Sequence, residues 1–229
     1  MNFVIDILIL ALLGFLAVLG IKKGFIKSAC ELLGAFAAVF LASYLSDILA
    51  ELIYNNAFRP GIYEKMLETT GNLSLAAAAE NFFTSLEPFV LNFFEMNGIT
   101  LESVTEAYTG FGEKAALAIT DAISPVFISM IKVFVFLVLF IVLLVLITLL
   151  SKLLTKIIKL TILKKVNQIL GAVLGVFKAV VIVWVVIGAF SVLIPLFPDW
   201  MQEALVGGME SSILGSFILS LNPLMWIFK

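Results

Sequence analysis

Histidine is absent from this 229-residue sequence, and cysteine occurs once, as Cys30. The missing histidine removes the commonest general base and the commonest metal ligand of proteins. Ser-His and Cys-His catalytic pairs and histidine-based zinc sites are therefore excluded. A lone cysteine cannot form an intrachain disulfide, so the redox compartment cannot be read from it. We expect a protein that is not an enzyme, with no catalytic residues, no metal site and no cofactor.

Charged residues are also scarce, at 13% of the sequence, whereas 62% of the residues are hydrophobic. Soluble domains average about 25% charged and about 45–50% apolar residues. A chain of this length leaves much of its surface exposed after folding, so a soluble fold could not hide this amount of apolar surface. The composition therefore indicates an integral membrane protein.

Long apolar runs predict four membrane spans, since a transmembrane helix needs about 20 mostly apolar residues. The first run, residues 3–21, has no basic residue before it, and two lysines follow it. This polarity is wrong for a cleaved signal peptide, so we expect a permanent helix. The other three predicted spans are residues 25–49, 126–150 and 169–194. Pro195 is expected to end the last of them, because proline cannot continue a helix.

A fifth apolar run, residues 213–228, has 16 residues and is interrupted by Gly215 and Pro223. It is short for a span, so we expect an interfacial or re-entrant segment. The sequence thus predicts an all-α, polytopic membrane protein with a helical segment between the second and third spans. The predicted divisions are a first hairpin, an extracytoplasmic segment, a second hairpin and an interfacial tail, at residues 1–49, 50–124, 125–195 and 196–229.

The charges predict the orientation of the chain, because short, positively charged loops stay in the cytoplasm. Residues 22–27 carry three lysines and no acid, and residues 152–165 carry five lysines and no acid. Residues 47–121 carry eleven acids against three basic residues, and the tail after Pro195 carries three acids and one lysine. Four spans place the lysine segments on one side and the acidic segments on the other. We therefore expect a bacterial plasma-membrane protein with both termini extracytoplasmic.

A basic amphipathic helix is predicted over residues 151–166, on the inner leaflet. Lys152, Lys156 and Lys159 recur at helical spacing on one face, and leucine and isoleucine occupy the other. Lysines near an anionic leaflet contribute about 1 kcal/mol each to membrane attraction, so these three predict contact with anionic lipid headgroups. A plain cytoplasmic anchor without lipid specificity is the alternative.

The segment 50–124 is too long for a simple loop and carries helix boundary signals. Asn72 is suited to capping a helix over residues 76–79, Pro88 to the first turn of a second helix that Asn97 ends, and Thr100 to capping a third. A group of phenylalanines recurs within it, at Phe82, Phe83, Phe89, Phe93 and Phe94. They predict either a packed helical cap or an apolar docking patch for a partner protein.

Small residues at four-residue spacing predict close helix packing, which membrane helices need because lipid gives them no hydrophobic reason to associate. Gly171 and Gly175 form such a pair in the fourth span, and Gly34, Ala38 and Ala42 repeat the spacing in the second. Packing within the chain is the direct interpretation. Homo-oligomerisation uses the same chemistry and stays open.

Four ionisable residues lie within the predicted spans, not counting the three residues at each end, and an unpaired charge there costs roughly 2.5–3.5 kcal/mol. At about 1.5 Å of rise per residue, Glu31 and Lys178 fall at similar depth in the inner half, which predicts an intramembrane ion pair. Asp6 and Lys132 fall near the outer ends of their helices, either paired or reaching the headgroups separately. A proton relay through the inner pair is a further alternative.

Two stretches resemble a known family. Asp6 precedes a glycine–lysine turn, residues 20–25, and residues 167–178 read Asn-Gln-Ile-Leu-Gly-Ala-Val-Leu-Gly-Val-Phe-Lys. Over about residues 1–195 the chain resembles the colicin V production protein (CvpA) family of bacterial inner-membrane proteins. The resemblance implies a link to toxin production and to the envelope, and it implies no catalytic residues. The signature positions that it implies are Asp6, Gly24, Asn167, Gly171, Gly175 and Lys178.

We therefore expect a non-catalytic membrane protein that supports bacteriocin production, bacteriocin export or envelope maintenance. Its expected partners are the bilayer, anionic lipid headgroups and membrane or envelope proteins, with no nucleic acid. The alternative is a small transporter or channel subunit, which would need polar groups along one route. A membrane enzyme would need a nucleophile with a base or a metal cluster, and no spacing of serine, threonine or acidic residues singles one out.

Overall fold

The computed structural model describes residues 2–71, 73–108, 110–157 and 164–222. All regular secondary structure in these ranges is helical. The helices are α1 (Asn2–Lys23), α2 (Phe25–Ile53), α3 (Arg59–Thr70), α4 (Leu75–Ser85), α5 (Pro88–Met96), α6 (Leu101–Ala107), α7 (Glu113–Ile157), α8 (Lys164–Leu193), α9 (Asp199–Glu210) and α10 (Ile213–Ser220).

Four helical segments in the described ranges are long and apolar enough to cross a membrane: Phe3–Lys23, Phe25–Thr70, Glu113–Lys152 and Lys164–Leu196. The predicted all-α class and the four candidate spans are thereby confirmed. Residues 223–229, which end the predicted interfacial segment, lie outside the described residues.

Two of the spanning helices are longer than the apolar runs predict. A π-helical turn, Tyr54–Phe58, joins α2 directly to α3, so helix continues past the predicted end at residue 49. Likewise, α7 begins at Glu113 and contains Pro125 in its interior, although the predicted span begins at residue 126. Apolar length reflects the thickness of a bilayer, whereas helix length reflects backbone hydrogen bonding, so hydropathy located the spans but not the helix ends.

The chain divides into two compact units. The first unit comprises Met1–Leu45, Phe136–Val192 and Trp200–Lys229. It contains α1, α10, all but one residue each of α8 and α9, and parts of α2 and α7. Ala35, Ala38 and Ala42 of α2 are buried with Phe136 and Phe140 of α7 in one core cluster. The small side chains of α2 let α7 approach closely, as expected of helix contacts in membranes.

The second unit comprises Ser46–Val135 and Leu193–Asp199. Within it, α5 begins at Pro88, and Thr100 caps α6, where the sequence places these boundaries. The side chain of Ser74 caps α4 by accepting from Ala77 N, whereas the predicted cap, Asn72, lies outside the described residues. Ser74 fits the role because serine is among the preferred N-cap residues.

Four of the five grouped phenylalanines are buried in the core of the second unit: Phe82, Phe83, Phe93 and Phe94. The rings of Phe82 and Phe83 meet edge to face with their centroids 5.4 Å apart. Such ring pairs stabilise a core beyond the area they bury. These four residues therefore pack the helices of this unit together and do not form an exposed docking patch; the side chain of Phe89 lies outside the described part.

Candidate functional site

The two glycines of α8 bring its backbone against that of α1. A Cβ atom added to Gly171 would collide with the carbonyl oxygen of Gly20, and one added to Gly175 would collide with the carbonyl oxygen of Leu16. Neither obstacle is a side chain that could turn away. The predicted close contact of these glycines is thus made with α1, within the first unit.

Asn167 ties the start of α8 to the turn between α1 and α2. Its Oδ1 accepts a hydrogen bond of 2.8 Å from the backbone N–H of Phe25, which begins α2. The first N–H groups of a helix lack partners within the helix, so Asn167 caps α2 from another helix. Gly24 has a φ of +77°, and a Cβ there would lie 3.0 Å from Asn167 Cγ. Glycine readily adopts the positive φ that this turn requires, and its lack of a side chain leaves room for Asn167.

Glu31 lies beside this crossing with 2% of its side chain exposed, and its Oε2 accepts from two lysines. Lys178 Nζ, on α8, is 2.9 Å away, and Lys23 Nζ, at the end of α1, is 2.7 Å away. The structure thus brings Glu31 and Lys178 together. It adds Lys23, which sequence reasoning assigned only to the cytoplasmic loop. We call Lys23, Glu31 and Lys178 the ion cluster.

Lys23 could have been found from its spacing. It stands one residue before the Gly24 turn, and Glu31 stands two helical turns after it. The Gly24 turn joins α1 to α2, so both residues lie on helices that meet at this turn, and the long flexible stem of Lys23 lets its ammonium group reach the Glu31 carboxylate. The turn thereby brings a third charge to a carboxylate that the sequence pairs only with α8.

Asp6 occupies a different position, at the N-terminus of α10. Its Oδ1 accepts from Ser212 Oγ at 2.7 Å and from Leu214 N at 2.9 Å, and its Oδ2 accepts from Ile213 N at 3.3 Å. A carboxylate is favoured there by the unpaired N–H groups and by the helix dipole. Asp6 therefore links α1 to α10.

The pairing of Asp6 with Lys132 is therefore not the arrangement found. Lys132 Nζ lies 2.5 Å from Asp47 Oδ1, within the second unit. Asp47 is the third residue from the end of the second predicted span, and it was counted only among the acids of the outer segment. A lysine near the end of a membrane span pairs with whatever carboxylate its flexible stem can reach, and depth along one helix does not specify which carboxylate that is.

Removing the Asp6 carboxylate is expected to release α10. We expect Asp6→Ala to lower the free energy of unfolding by about 1–3 kcal/mol, because buried or half-buried donors lose a charged acceptor. Hydrogen exchange at the amides of residues 213–220 should accelerate more than exchange in α8. Ser216→Ala is the matched control, since its exposed hydroxyl donates to Ile213 O of the same helix. Equal exchange in Asp6→Ala and the parent would contradict this role.

The lysines predicted to contact lipid are only partly described. The side chain of Lys152 is exposed on α7. The side chain of Lys156 and the whole of Lys159 lie outside the described part of the chain. The structure therefore places one of the three on the surface, and the lipid contact of all three stays a prediction.

The six signature positions, called the motif residues from here on, lie at two places in the first unit. Gly24, Asn167, Gly171, Gly175 and Lys178 meet where α1, α2 and α8 cross. The remaining motif residue, Asp6, holds α10.

The family model described as colicin V production protein matches residues 5–135 and 96–214. No curated protein and no solved structure gives a match. The two matched ranges overlap, and together they span every motif residue and well over half of the sequence. The chain therefore belongs to the colicin V production protein family.

Proposed function

We propose that this chain is a non-catalytic protein of the bacterial inner membrane that supports the production or export of a toxin, or the maintenance of the envelope. Membership of the colicin V production family supports the link to toxin production. One observation carries the non-catalytic role: five motif residues converge on a helix crossing whose groups bind one another. The asparagine caps a helix, the glycines admit a backbone, and the lysine neutralises a buried glutamate.

A rigid crossing of this kind suits a scaffold that holds partners in the membrane. Both ammonium groups of the ion cluster bond to the same carboxylate oxygen, Glu31 Oε2, and Glu31 is almost completely buried. The sequence contains no histidine to act as a general base at this place. Partners are expected among membrane and envelope proteins, and anionic lipid is expected at the lysine-rich segment that begins near Lys152. A second copy of this chain is a further possible partner, because small residues at four-residue spacing also pack helices of different chains together.

The proposal is tested by deleting the gene in the bacterium that carries it. We expect less secreted toxin, or greater sensitivity to detergent and bile salts, and we expect the parent gene to restore either property. Asn167→Ala, which removes the cap on α2, should restore less than Ser216→Ala at matched protein abundance. A deletion strain that equals the parent strain in both assays would refute the proposal.

For the orientation, we propose that both termini face outward, because the lysines of the α1–α2 turn and of residues 152–165 belong on the cytoplasmic side. A reporter that is active only in the cytoplasm should be silent when fused after Lys229 and active when inserted between residues 158 and 163. Activity after Lys229 would require an odd number of crossings, most simply with residues 213–228 as an additional span.

A small transporter or channel subunit is the second candidate. The observation that favours it is the placement of three charged side chains within the apolar part of the first unit, beside a small cavity lined by Ser28, Glu31 and Lys178. Purified protein in liposomes should then carry ions or protons across the bilayer, and Glu31→Gln should abolish the flux. Flux equal to that of empty liposomes would exclude this candidate.

A further inference from the structure

Two buried oxygen atoms at the ion cluster have no hydrogen-bond partner among the described residues: Glu31 Oε1 and Ser28 Oγ. Both lysines bond to the other carboxylate oxygen, Oε2. Ser28 and Glu31 are one helical turn apart on α2, and their side chains are 5% and 2% exposed. Buried polar atoms are almost always bonded, and a lone carboxylate oxygen in an apolar place is costly.

A cavity lies beside these two atoms. It is lined by residues of three helices, including Gly20 and Lys23 of α1, Ser28 and Glu31 of α2, and Lys178 of α8. It leaves about 10 Å³ of room for the centre of a water-sized molecule. A cavity needs at least about 10–15 Å³ to hold a water, and the water needs two to four polar partners. The space is therefore of the size that a single water needs.

The charges decide which species of that size is bound. A metal cation is disfavoured because two ammonium groups already share one carboxylate, so the cluster carries a net positive charge. A halide is disfavoured by Glu31 Oε1, an acceptor that an anion cannot satisfy. A neutral molecule that both donates and accepts satisfies the carboxylate oxygen and the serine hydroxyl together.

We propose that one ordered water molecule is bound between α1, α2 and α8, donating a hydrogen bond to Glu31 Oε1 and bonding to Ser28 Oγ. This water completes the ion cluster: Oε2 holds the two lysines and Oε1 holds the water. Ser28 is then a water-positioning residue. The inference does not depend on the proposed function, because the site would be hydrated in a scaffold and in a transporter alike.

The test is a crystal structure of the full chain in lipid, at a resolution that shows ordered water. We expect a density peak within hydrogen-bond distance of both Glu31 Oε1 and Ser28 Oγ, and we expect Ser28→Val to lose it. Thr148→Val is the matched control, since its hydroxyl bonds to Leu144 O of its own helix. Crystals grown in rubidium and bromide salts should show no anomalous peak at the site.

Infrared difference spectra keep the proposal falsifiable where Ser28→Val does not crystallise. The carboxylate stretch of Glu31, identified by its loss in Glu31→Gln, should shift in Ser28→Val and in Ser28→Ala and stay constant in Thr148→Val. Three results would overturn the proposal. The first is a crystal structure with well-ordered Ser28 and Glu31 side chains but no water density between them. The others are an anomalous rubidium or bromide peak at the site, and a Glu31 carboxylate stretch that does not shift in the Ser28 variants. A carbonyl band of a protonated carboxylic acid at Glu31 would also overturn it, because Oε1–H would then be the donor.

Discussion

Replacing Gly171 with alanine is expected to destabilise the first unit by about 1–3 kcal/mol, the usual cost of forcing extra atoms into a packed contact. The added Cβ would lie 2.9 Å from the carbonyl carbon of Gly24 and would collide with the carbonyl oxygen of Gly20. Both are backbone atoms, one in α1 and one in the turn after it, so the helices themselves must separate. Thermal unfolding of the purified protein in detergent measures the loss.

Gly14→Ala provides a matched control on α1, because among the described residues no atom outside the neighbouring backbone of α1 itself lies within 4 Å of the position of its Cβ. There the substitution should be neutral or stabilising by up to about 1 kcal/mol, since alanine is the better helix former. Gly171→Ala combined with Gly175→Ala should cost less than the sum of the two, because separating the helices once relieves both collisions. If Gly171→Ala unfolds at the temperature of the parent, α8 does not cross α1 at this point.

The spans could be predicted from the sequence because apolar length is a direct requirement of the bilayer. The close contact at Gly171 and Gly175 could be predicted as a contact, and Gly20 and Gly24, which have the same four-residue spacing, offered a partner for Gly171 that was not identified. The partner of Gly175 could not be predicted, because it is the backbone carbonyl of Leu16, and a carbonyl is present in every residue.

The partners of the charged residues could likewise be predicted only in part. The pairing of Glu31 with Lys178 could be predicted, because the two lie at similar depth and each is a costly charge in an apolar helix. Asp6 looked like the same kind of group, yet its partner is a helix N-terminus formed by residues 212–214. Backbone N–H groups carry no charge in the sequence, so an analysis of charged side chains alone cannot identify them as the partner.

Glu31→Gln is expected to be the most damaging single change in the ion cluster, at about 3–5 kcal/mol, the typical cost of breaking a buried ion pair from one side. The change removes the carboxylate that two ammonium groups share, at 2.7 Å and 2.9 Å. Lys178→Met leaves Glu31 paired with Lys23, so it should cost less, about 1–3 kcal/mol, as for a lost hydrogen bond to a charged group. Lys23→Met should cost least, because this lysine is the most exposed of the three, at 22%.

The shared carboxylate also changes what compensating variants can achieve. Glu31→Gln with Lys178→Met leaves only Lys23, which is exposed enough to turn towards solvent, so most of the stability should return. Glu31→Lys with Lys178→Glu keeps one carboxylate between two ammonium groups and should recover part of the lost stability.

Denaturant unfolding of the single and double variants provides the double-mutant cycle. Additive effects would contradict the cluster, since additivity is the behaviour of separate sites. Equal losses in Glu31→Gln and Lys178→Met would show that Lys23 does not share the carboxylate, because only a second ammonium group makes removal of the acid worse than removal of one base.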